Sequence, residues 1–562
     1  LLNGLCRPEK KHPPYLEVVC LLLTSALIVA RQFSNPQFAS CVIDDSILQM
    51  SWVGQFSRAL REGVWLPRWL PESNGGYGSP VFVFYSPLVY YVTAVVHWAC
   101  GSIILSMKLV RGLGLFLSGV TMLAYTSRFL ERKTALVAAL VYVAIPFHVL
   151  DISYWSLYAE TWAWVWFPLI LLFMDRIRSD QNDAISLLGL AVSYGGLVVT
   201  HLISAYMVGF LIGAFAFACW LWKDPPICAA RILWGALGGL ALSAFYLFPA
   251  IYERKFIRLE YSTSLPEFDF HNTFLFFPSA DLMRANPFQD KTIHILQVVS
   301  VLQAAWIVSG AVLTILRRSL LGLRREAGFQ VAIAAFCLFF MTSPSSFIWE
   351  WVPGLAQIQF STRWLSIFSF SAAIVAGIGF QGEGRPGTGI KLVSFGHLTI
   401  AFVAGLASLL IILGGCFLTE EHSRMAAASI YNAPEYNPKE MKLWRERVIQ
   451  PGELLYSVVD GKALVTVDRW STHDRCLSVK AEVPTRLRIR LLHYPGWTAS
   501  CDGRQIPLHT DPESGAIMAD VPSGFHRFCI RFEDTWWRKA ALGFSILTAS
   551  GMLIWAIRQG CK

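Results

Sequence analysis

Long apolar runs, separated by short polar connections, set the organisation of this chain. A helical span needs about 20 mostly apolar residues to cross about 30 Å of hydrocarbon. The pattern predicts about twelve of them, at 14–31, 103–127, 134–150, 158–175, 184–200, 202–222, 229–250, 295–316, 327–343, 362–380, 391–417 and 537–557. The stretch 81–99 is apolar as well, and loop charge decides its reading. If it spans, SRFLERK at 127–133 and RRSLLGLRR at 317–325 land outside, against the tendency of basic loops to stay cytoplasmic. As a juxtamembrane or re-entrant helix it leaves RPEKKH, SRFLERK, DRIRS, RRSLLGLRR and the terminal RQGCK all inside. The second arrangement is expected, with both termini cytoplasmic. The first stretch is read as a retained helix, because no small-residue cleavage site follows it.

Between the first two spans, Leu48, Trp52, Phe56 and Leu60 recur every four residues, with Val53 on the same face, the period of an amphipathic helix lying on the bilayer. Pro67, Pro71, Asn74, Gly75, Gly76, Gly78, Pro80 and Pro87 then punctuate a turn-rich connection. From 418 to 535 the pattern changes: RLRIRLL and HRFCIRF alternate apolar and polar positions, and Asp502-Gly503, Pro512 and the PSG at 522–524 separate such stretches. Alternation with tight turns predicts short antiparallel strands. The expected fold is an all-α polytopic membrane protein carrying a small extracytoplasmic β-rich domain before its last helix. Its parts are a transmembrane domain over 1–417 with a first outer loop at 32–102, a β-sandwich-like domain over 418–535 that opens in helix and loop, and a final helix and cytoplasmic tail over 536–562.

Composition narrows the class. With 562 residues, 54% hydrophobic and 15% charged, the chain is too apolar for a soluble enzyme of this length. The net charge of +9 is carried in basic loops that signal topology, so no nucleic acid partner is expected. The 12 cysteines show neither CxxC nor a Cys/His spacing for zinc, and no metal site is assigned. Cys476, Cys501 and Cys529 fall in the outer region, where an oxidising compartment could pair two of them.

The topology gathers polar residues from distant stretches on one outer face. Asp44 and Asp45 stand just beyond the first span, and carboxylates at the mouth of a bundle point by default to a functional site. Either one could instead cap the amphipathic helix, a role that suits Asp44 better. Glu160 opens an apolar helix among Tyr154, Trp155, Tyr158 and Trp162, a setting that suits sugar stacking, an interfacial aromatic belt, or an acid at a helix N-terminus. Arg363 begins a span on the outer side, where a guanidinium can grip phosphate or snorkel to the interface. Arg254, Lys255 and Arg258 form an outer basic cluster, and His201 starts a span on the same face. The GGYG turn around Tyr77 lets backbone approach a partner closely. A divalent cation, Mg2+ or Mn2+, could use Asp44, Asp45 and Glu160 as hard oxygen ligands, although no spacing demands one.

Taken in order, the run from Asp45 through EGVWLPRW, GGYGSP and FYSPLVYY, then YWSLYAETWAWVWFPLILL, THLISA, IQFSTRWL, YPGWTASCDGR and VPSGFHRF resembles the YfhO-like bacterial membrane proteins. These are similar to the 6-pyruvoyl-tetrahydropterin-synthase-related membrane proteins and, with them, to the GT-C glycosyltransferase superfamily. The resemblance implies a GT-C-like fold and transfer of a sugar from a polyprenyl-phosphate donor to an acceptor on the outer face of the bacterial inner membrane. It places the loop acid on Asp45, with Asp44 next, and carries Glu160 and Arg363 into the site. Where relatives often have histidine four residues after the acid, this chain has Gln49. The implied partners are the lipid-linked sugar, membrane lipids and a glycan, lipid or protein acceptor. A non-catalytic scaffold subunit of a larger membrane complex, or a lipid or glycan transporter, remain the alternative readings.

Overall fold

A computed structural model describes residues 15–34, 45–152, 157–180, 183–262, 266–277, 287–381, 433–441 and 454–560. Every expected span within those residues is helical, and the one at 391–417 lies outside them. Among the described residues six helices are long and apolar enough to cross a membrane, or seven if one bent pair counts as a span. Leu88–Cys100 has 13 residues, about 20 Å of helix, too short to span. A break at Tyr85–Pro87 separates it from Val81–Phe84, and Trp98 Nε1 ties it back to Ser57 of the Asp45–Arg61 helix at 3.0 Å.

Leu365–Phe380 forms the centre of the bundle, packed on Pro287–Leu316, Arg324–Phe340 and Arg132–Ala144. Its Ser, Ala and Gly residues let neighbours approach from every side. Ser369 and Ser371 donate to Gln303 and Gln330 at 2.9 and 3.0 Å, so no hydroxyl of that pair is stranded in the core. On the other flank Ala184–Thr200 meets Pro226–Leu242 at Gly195 and Gly239, where a Cβ on either residue would stand 2.8 Å from a backbone oxygen of the facing helix. Trp536–Gln559 is only 11% buried over its apolar window and turns Phe544, Leu547, Leu553 and Ile554 outward, as a helix bordering lipid does.

The span expected at 229–250 is not straight. Pro226–Leu242 and Ala244–Phe256 meet at 75°, and at the break Ser243 returns its hydroxyl to the carbonyls of Gly239 and Leu240 at 3.0 and 3.1 Å. A side chain that bonds carbonyls of the last turn makes such a bend tolerable.

The C-terminal region is a sandwich of two antiparallel sheets: β1 (Tyr456–Asp460), β4 (Thr485–Leu492), β8 (Ala516–Val521) and β7 (His509–Thr510), against β2 (Ala463–Trp470), β3 (Asp474–Ala481), β9 (Gly524–Phe532), β5 (Trp497–Cys501) and β6 (Arg504–Ile506). RLRIRLL and HRFCIRF become β4 and β9. The Asp502-Gly503 turn joins β5 to β6 with φ of 51° and 82°, the left-handed pair that a tight hairpin requires. Cys476 and Cys529 are cross-strand partners and form a disulfide; Cys501 is free and buried.

The two ends of the bundle differ. One gathers basic connections: Arg128 pairs with Asp175 at 3.0 Å, Arg132 with Glu17 and Arg176 with Asp183 at 2.8 Å. At the other end the first long loop, the segment after the bent helix and the sandwich share one hydrophobic cluster of Trp69, Tyr77, Val83, Ile257, Tyr494, Trp497 and Phe532. Trp69 stands edge-on to Trp497 with ring centroids 5.3 Å apart.

A buried carboxylate holds this end together. Glu253, delivered by the bent helix, accepts from Arg538 Nε and Nη2 at 2.7 and 2.6 Å, from the Tyr494 hydroxyl at 2.7 Å and from Trp537 Nε1 at 2.8 Å. Both charged side chains are 0% exposed. Removing one partner strands the other charge, so Glu253→Gln and Arg538→Met are each expected to cost about 3–5 kcal/mol in chemical denaturation of the full chain. The double change to Met should cost less than the sum of the single changes.

His473 lies beside this clamp. Burial, and then the charges of Arg475, Arg538 and Arg68, push its imidazole down to about 4. The unfolded chain takes up that proton near 6.5 while the folded chain resists, so the contribution is intact above about 6.5 and is lost as pH falls toward 4. The thermal midpoint should drop across that window, and His473→Gln should flatten the drop.

Candidate functional site: buried charges behind the first long loop

Arg363 is the hub. It sits on the turn Ser361–Trp364 before the central helix, a turn anchored to the preceding loop. Ser361 donates to the Thr273 carbonyl at 2.6 Å, and Thr273 in return donates to the Gln359 carbonyl at 3.0 Å. Arg363 donates Nη1 to the Ile358 carbonyl at 2.7 Å and lies 5.2 Å from the Phe360 ring centroid, half-buried. Its charge reaches Asp151, Glu160, His201 and Tyr436.

Glu160 is buried in the first turn of Tyr158–Ser179 and accepts from the Ser366 hydroxyl, one turn into the central helix. Asp151 is fully buried, feels the charges of Glu160, Arg111 and Arg363, and among the described residues neither of its oxygens has a hydrogen-bond partner. Arg111, also fully buried, stands 5.5 Å from the Tyr158 ring centroid. Two acids and the Arg111 guanidinium thus share one desolvated region, with the half-buried Arg363 at its edge, and each charge there depends on the others. His201 lies at the joint between Ala184–Thr200 and Leu202–Leu221, half-buried, with Nδ1 2.7 Å from the Ser204 hydroxyl.

An aromatic wall stands next to these charges. Trp52 from the first-loop helix packs on Tyr85 at 5.0 Å, Phe82 at 6.2 Å and Tyr436 at 6.4 Å, in one cluster with Tyr90, Tyr158 and Trp162. The helix begins at Asp45, one turn before Gln49; the Asp45 side chain and the whole of Asp44 lie outside the described residues. Tyr154 and Trp155 lie outside them too. Tyr158 gives its hydroxyl to Thr93 and Trp162 its indole N–H to the Val110 carbonyl, so these two rings serve packing more than an open surface.

Two expected residues stand elsewhere. Tyr77 is buried in the seam with the sandwich, its carbonyl accepting from Leu492 N at 2.8 Å. The freedom of its glycine neighbours is used within the protein: a Cβ at Gly78 would strike the Trp69 indole, and one at Gly76 would lie 3.1 Å from the Arg490 guanidinium. Arg254 is exposed on the turn after the bent helix. Beside it Lys255 covers the Tyr252 ring at 3.7 Å, and Arg258 donates to the carbonyls of Lys439 and Met441.

Arg111, Asp151, Ser366 and Tyr436 were not foreseen. For Arg111 a signal existed, since an arginine inside an apolar span calls for a partner. Asp151 lies in the segment FHVLDISYWSLYAE, which is expected on the outer side. As for a metal, Glu160 faces a hydroxyl and a guanidinium, poor company for a cation. Among the described residues, Cys501, Asp502 and His526 of the sandwich could hold an ion, with donor atoms within 4.8 Å of one another. There Asp502 and the Ser523 carbonyl already engage both His526 nitrogens.

Several known proteins are similar. A Lactococcus lactis subsp. cremoris protein of uncharacterized role is 24% identical over 207 residues, 35% of this chain and 33% of that one; the match thus spans about a third of the curated relative's length. Among solved structures, the Archaeoglobus fulgidus oligosaccharyltransferase in its apo form aligns at 14% identity over 75% of this chain and 57% of its own, with a TM-score of 0.42. The mycobacterial arabinofuranosyltransferase AftD aligns at 15% identity over 73% and 27%, with a TM-score of 0.45. ArnT from Cupriavidus metallidurans, bound to undecaprenyl phosphate, aligns at 12% identity over 64% and 76%, with a TM-score of 0.31. None of these likenesses assigns an activity. Residues 82–423 match the profile of the 6-pyruvoyl-tetrahydropterin synthase related domain of membrane proteins, and with more than half of its length inside that match the chain belongs to this family.

Proposed function

We propose that the chain is a membrane glycosyltransferase that moves a sugar from a polyprenyl-phosphate donor to a hydroxyl-bearing acceptor on the outer face of the bacterial inner membrane. The observation that carries the reading is the convergence of Arg363, Glu160 and His201 behind the first-loop helix that opens at Asp45. The Cys476–Cys529 disulfide supports an oxidising location for the sandwich, and with it for the site end of the bundle.

In this mechanism the acceptor oxygen attacks the anomeric carbon and the bond from that carbon to the phosphate oxygen breaks. The acceptor proton passes to the carboxylate of Asp45, with Asp44 as its neighbour, and the leaving phosphate keeps the electron pair. A guanidinium fork suits the charge gathering on that phosphate, which assigns Arg363 to the leaving group. His201 and the tyrosine-lined wall border the donor. Glu160 and Asp151, both buried, act through Arg363 and Arg111 by balancing their charge. Arg254 lies on the same outer end, where it can attract phosphate from the bilayer surface; Tyr77 shapes the seam.

Loss of a general base typically costs about 100-fold or more. The purified chain with Asp44→Asn and Asp45→Asn together should therefore transfer labelled sugar from polyprenyl-phosphate-linked hexoses at least about 100-fold more slowly, and an unchanged rate would refute the assignment. Glu160→Gln should cost about 3 kcal/mol of stability, against about 1 kcal/mol for Ser366→Ala, in denaturation of the micelle-solubilised chain. Equal losses would remove the charge-balancing role.

A further inference from the structure

The sandwich carries its own group of ligand-type side chains, remote from the charges of the bundle. Cys501 ends β5, Asp502 opens the tight turn into β6, and His526 lies near the start of β9. Trp497 pairs with Phe532 and Cys501 with Phe528, so the two strands run antiparallel and the group sits at the end of the sandwich opposite the Trp497 and Phe532 rings that face the bundle. There Asp502 N donates to the Arg527 carbonyl at 2.9 Å, which carries the turn across to His526. Thiol, carboxylate and imidazole each offer one donor atom, and these atoms all lie within 4.8 Å of one another.

The backbone around them supplies the outer contacts that metal ligands use. His526 Nε2 donates to the Ser523 carbonyl at 3.1 Å, and a metal-bound histidine almost always spends its second N–H on a carbonyl or carboxylate in this way. Nδ1 is then the ligand nitrogen, and it stands 2.7 Å from Asp502 Oδ2. Asp502 Oδ1 accepts from Arg527 N at 2.8 Å, as ligating carboxylates are themselves held. Cys501 is buried and free, although its neighbour Ser500 pairs with Cys529 of the disulfide. A proton now bridges Nδ1 and Oδ2. A tetrahedral cation in its place needs donor separations of about 3.3–3.6 Å, a small adjustment for a turn whose Asp502 is exposed. A thiolate beside an imidazole favours Zn2+ or Co2+ over Mg2+ and Ca2+.

We propose that Cys501, Asp502 and His526 form a three-ligand site for a thiophilic divalent cation of the Zn2+ class, which ties the β5–β6 turn to β9 and leaves its fourth position to water. Binding releases the thiol proton and the Nδ1 proton to solvent. The site is independent of the glycosyl-transfer reading. To test it, the full-length protein in detergent micelles is stripped with a chelator and titrated with Co2+, a spectroscopic stand-in for Zn2+. The wild type should develop a thiolate-to-cobalt charge-transfer absorption that saturates at a single equivalent and is bleached by Zn2+. Cys501→Ser should abolish the absorption. Asp502→Asn, which keeps a residue tolerant of the left-handed turn, and His526→Gln should each weaken uptake about tenfold or more. Metal-free thermal midpoints show that each variant is folded, and Zn2+ should raise the midpoint of the wild type but not of Cys501→Ser. A wild type without the absorption would overturn the inference, as would an absorption that survives Cys501→Ser. Uptake unchanged in Asp502→Asn or in His526→Gln would overturn it too, because the thiol would then bind without the ligands assigned here.

Discussion

A carboxylate taken fully out of water persists only when its lone pairs are met, and Glu253 is met by a phenol from the sandwich and by an indole and a guanidinium from the root of the last helix. That one group joins the bent helix, the sandwich and the root of the last helix. Arg68, from the first loop, adds a second tie to Asp534 at 3.0 Å. Because the desolvation cost of each charge is offset only when all partners arrive together, the parts of this end dock as a unit.

The second desolvated charge set lies behind the first loop. Asp151, Glu160, Arg111 and Arg363 come from four helix ends or spans, and balanced opposite charges are the condition under which such groups stay buried. The arrangement pre-positions a guanidinium beside an aromatic wall, where the transfer chemistry we propose needs a fixed cation.

Much of this was legible in the residues. Alternation in RLRIRLL and HRFCIRF specifies strands, Asp502-Gly503 specifies their turn, and the four-residue recurrence from Leu48 to Leu60 specifies the loop helix. Glu160, Arg363 and His201 were recognisable because polar residues at the ends of apolar runs stand out. Less was legible where a local signal has two physical meanings. The glycines around Tyr77 imply close approach to something, and that something is Trp69 and Arg490. Nothing local in 229–250 announces a bend, since Ser243 is an ordinary span residue until its hydroxyl finds the carbonyls of the last turn before the break.

The sequence by itself determined the class of molecule: apolar run length, basic loops and strand alternation are local quantities, summed along the chain without knowledge of what touches what. It also led to the expectation that polar residues of distant stretches share one side. Only the tertiary structure decided which of them meet. Burying a charge is worthwhile solely in the presence of particular partners, and Glu253 with Arg538, or Glu160 with Ser366 and Arg363, are separated by hundreds of residues in the chain. Electrostatics in a dry interior is a property of pairs and quartets, which no run of neighbouring residues encodes.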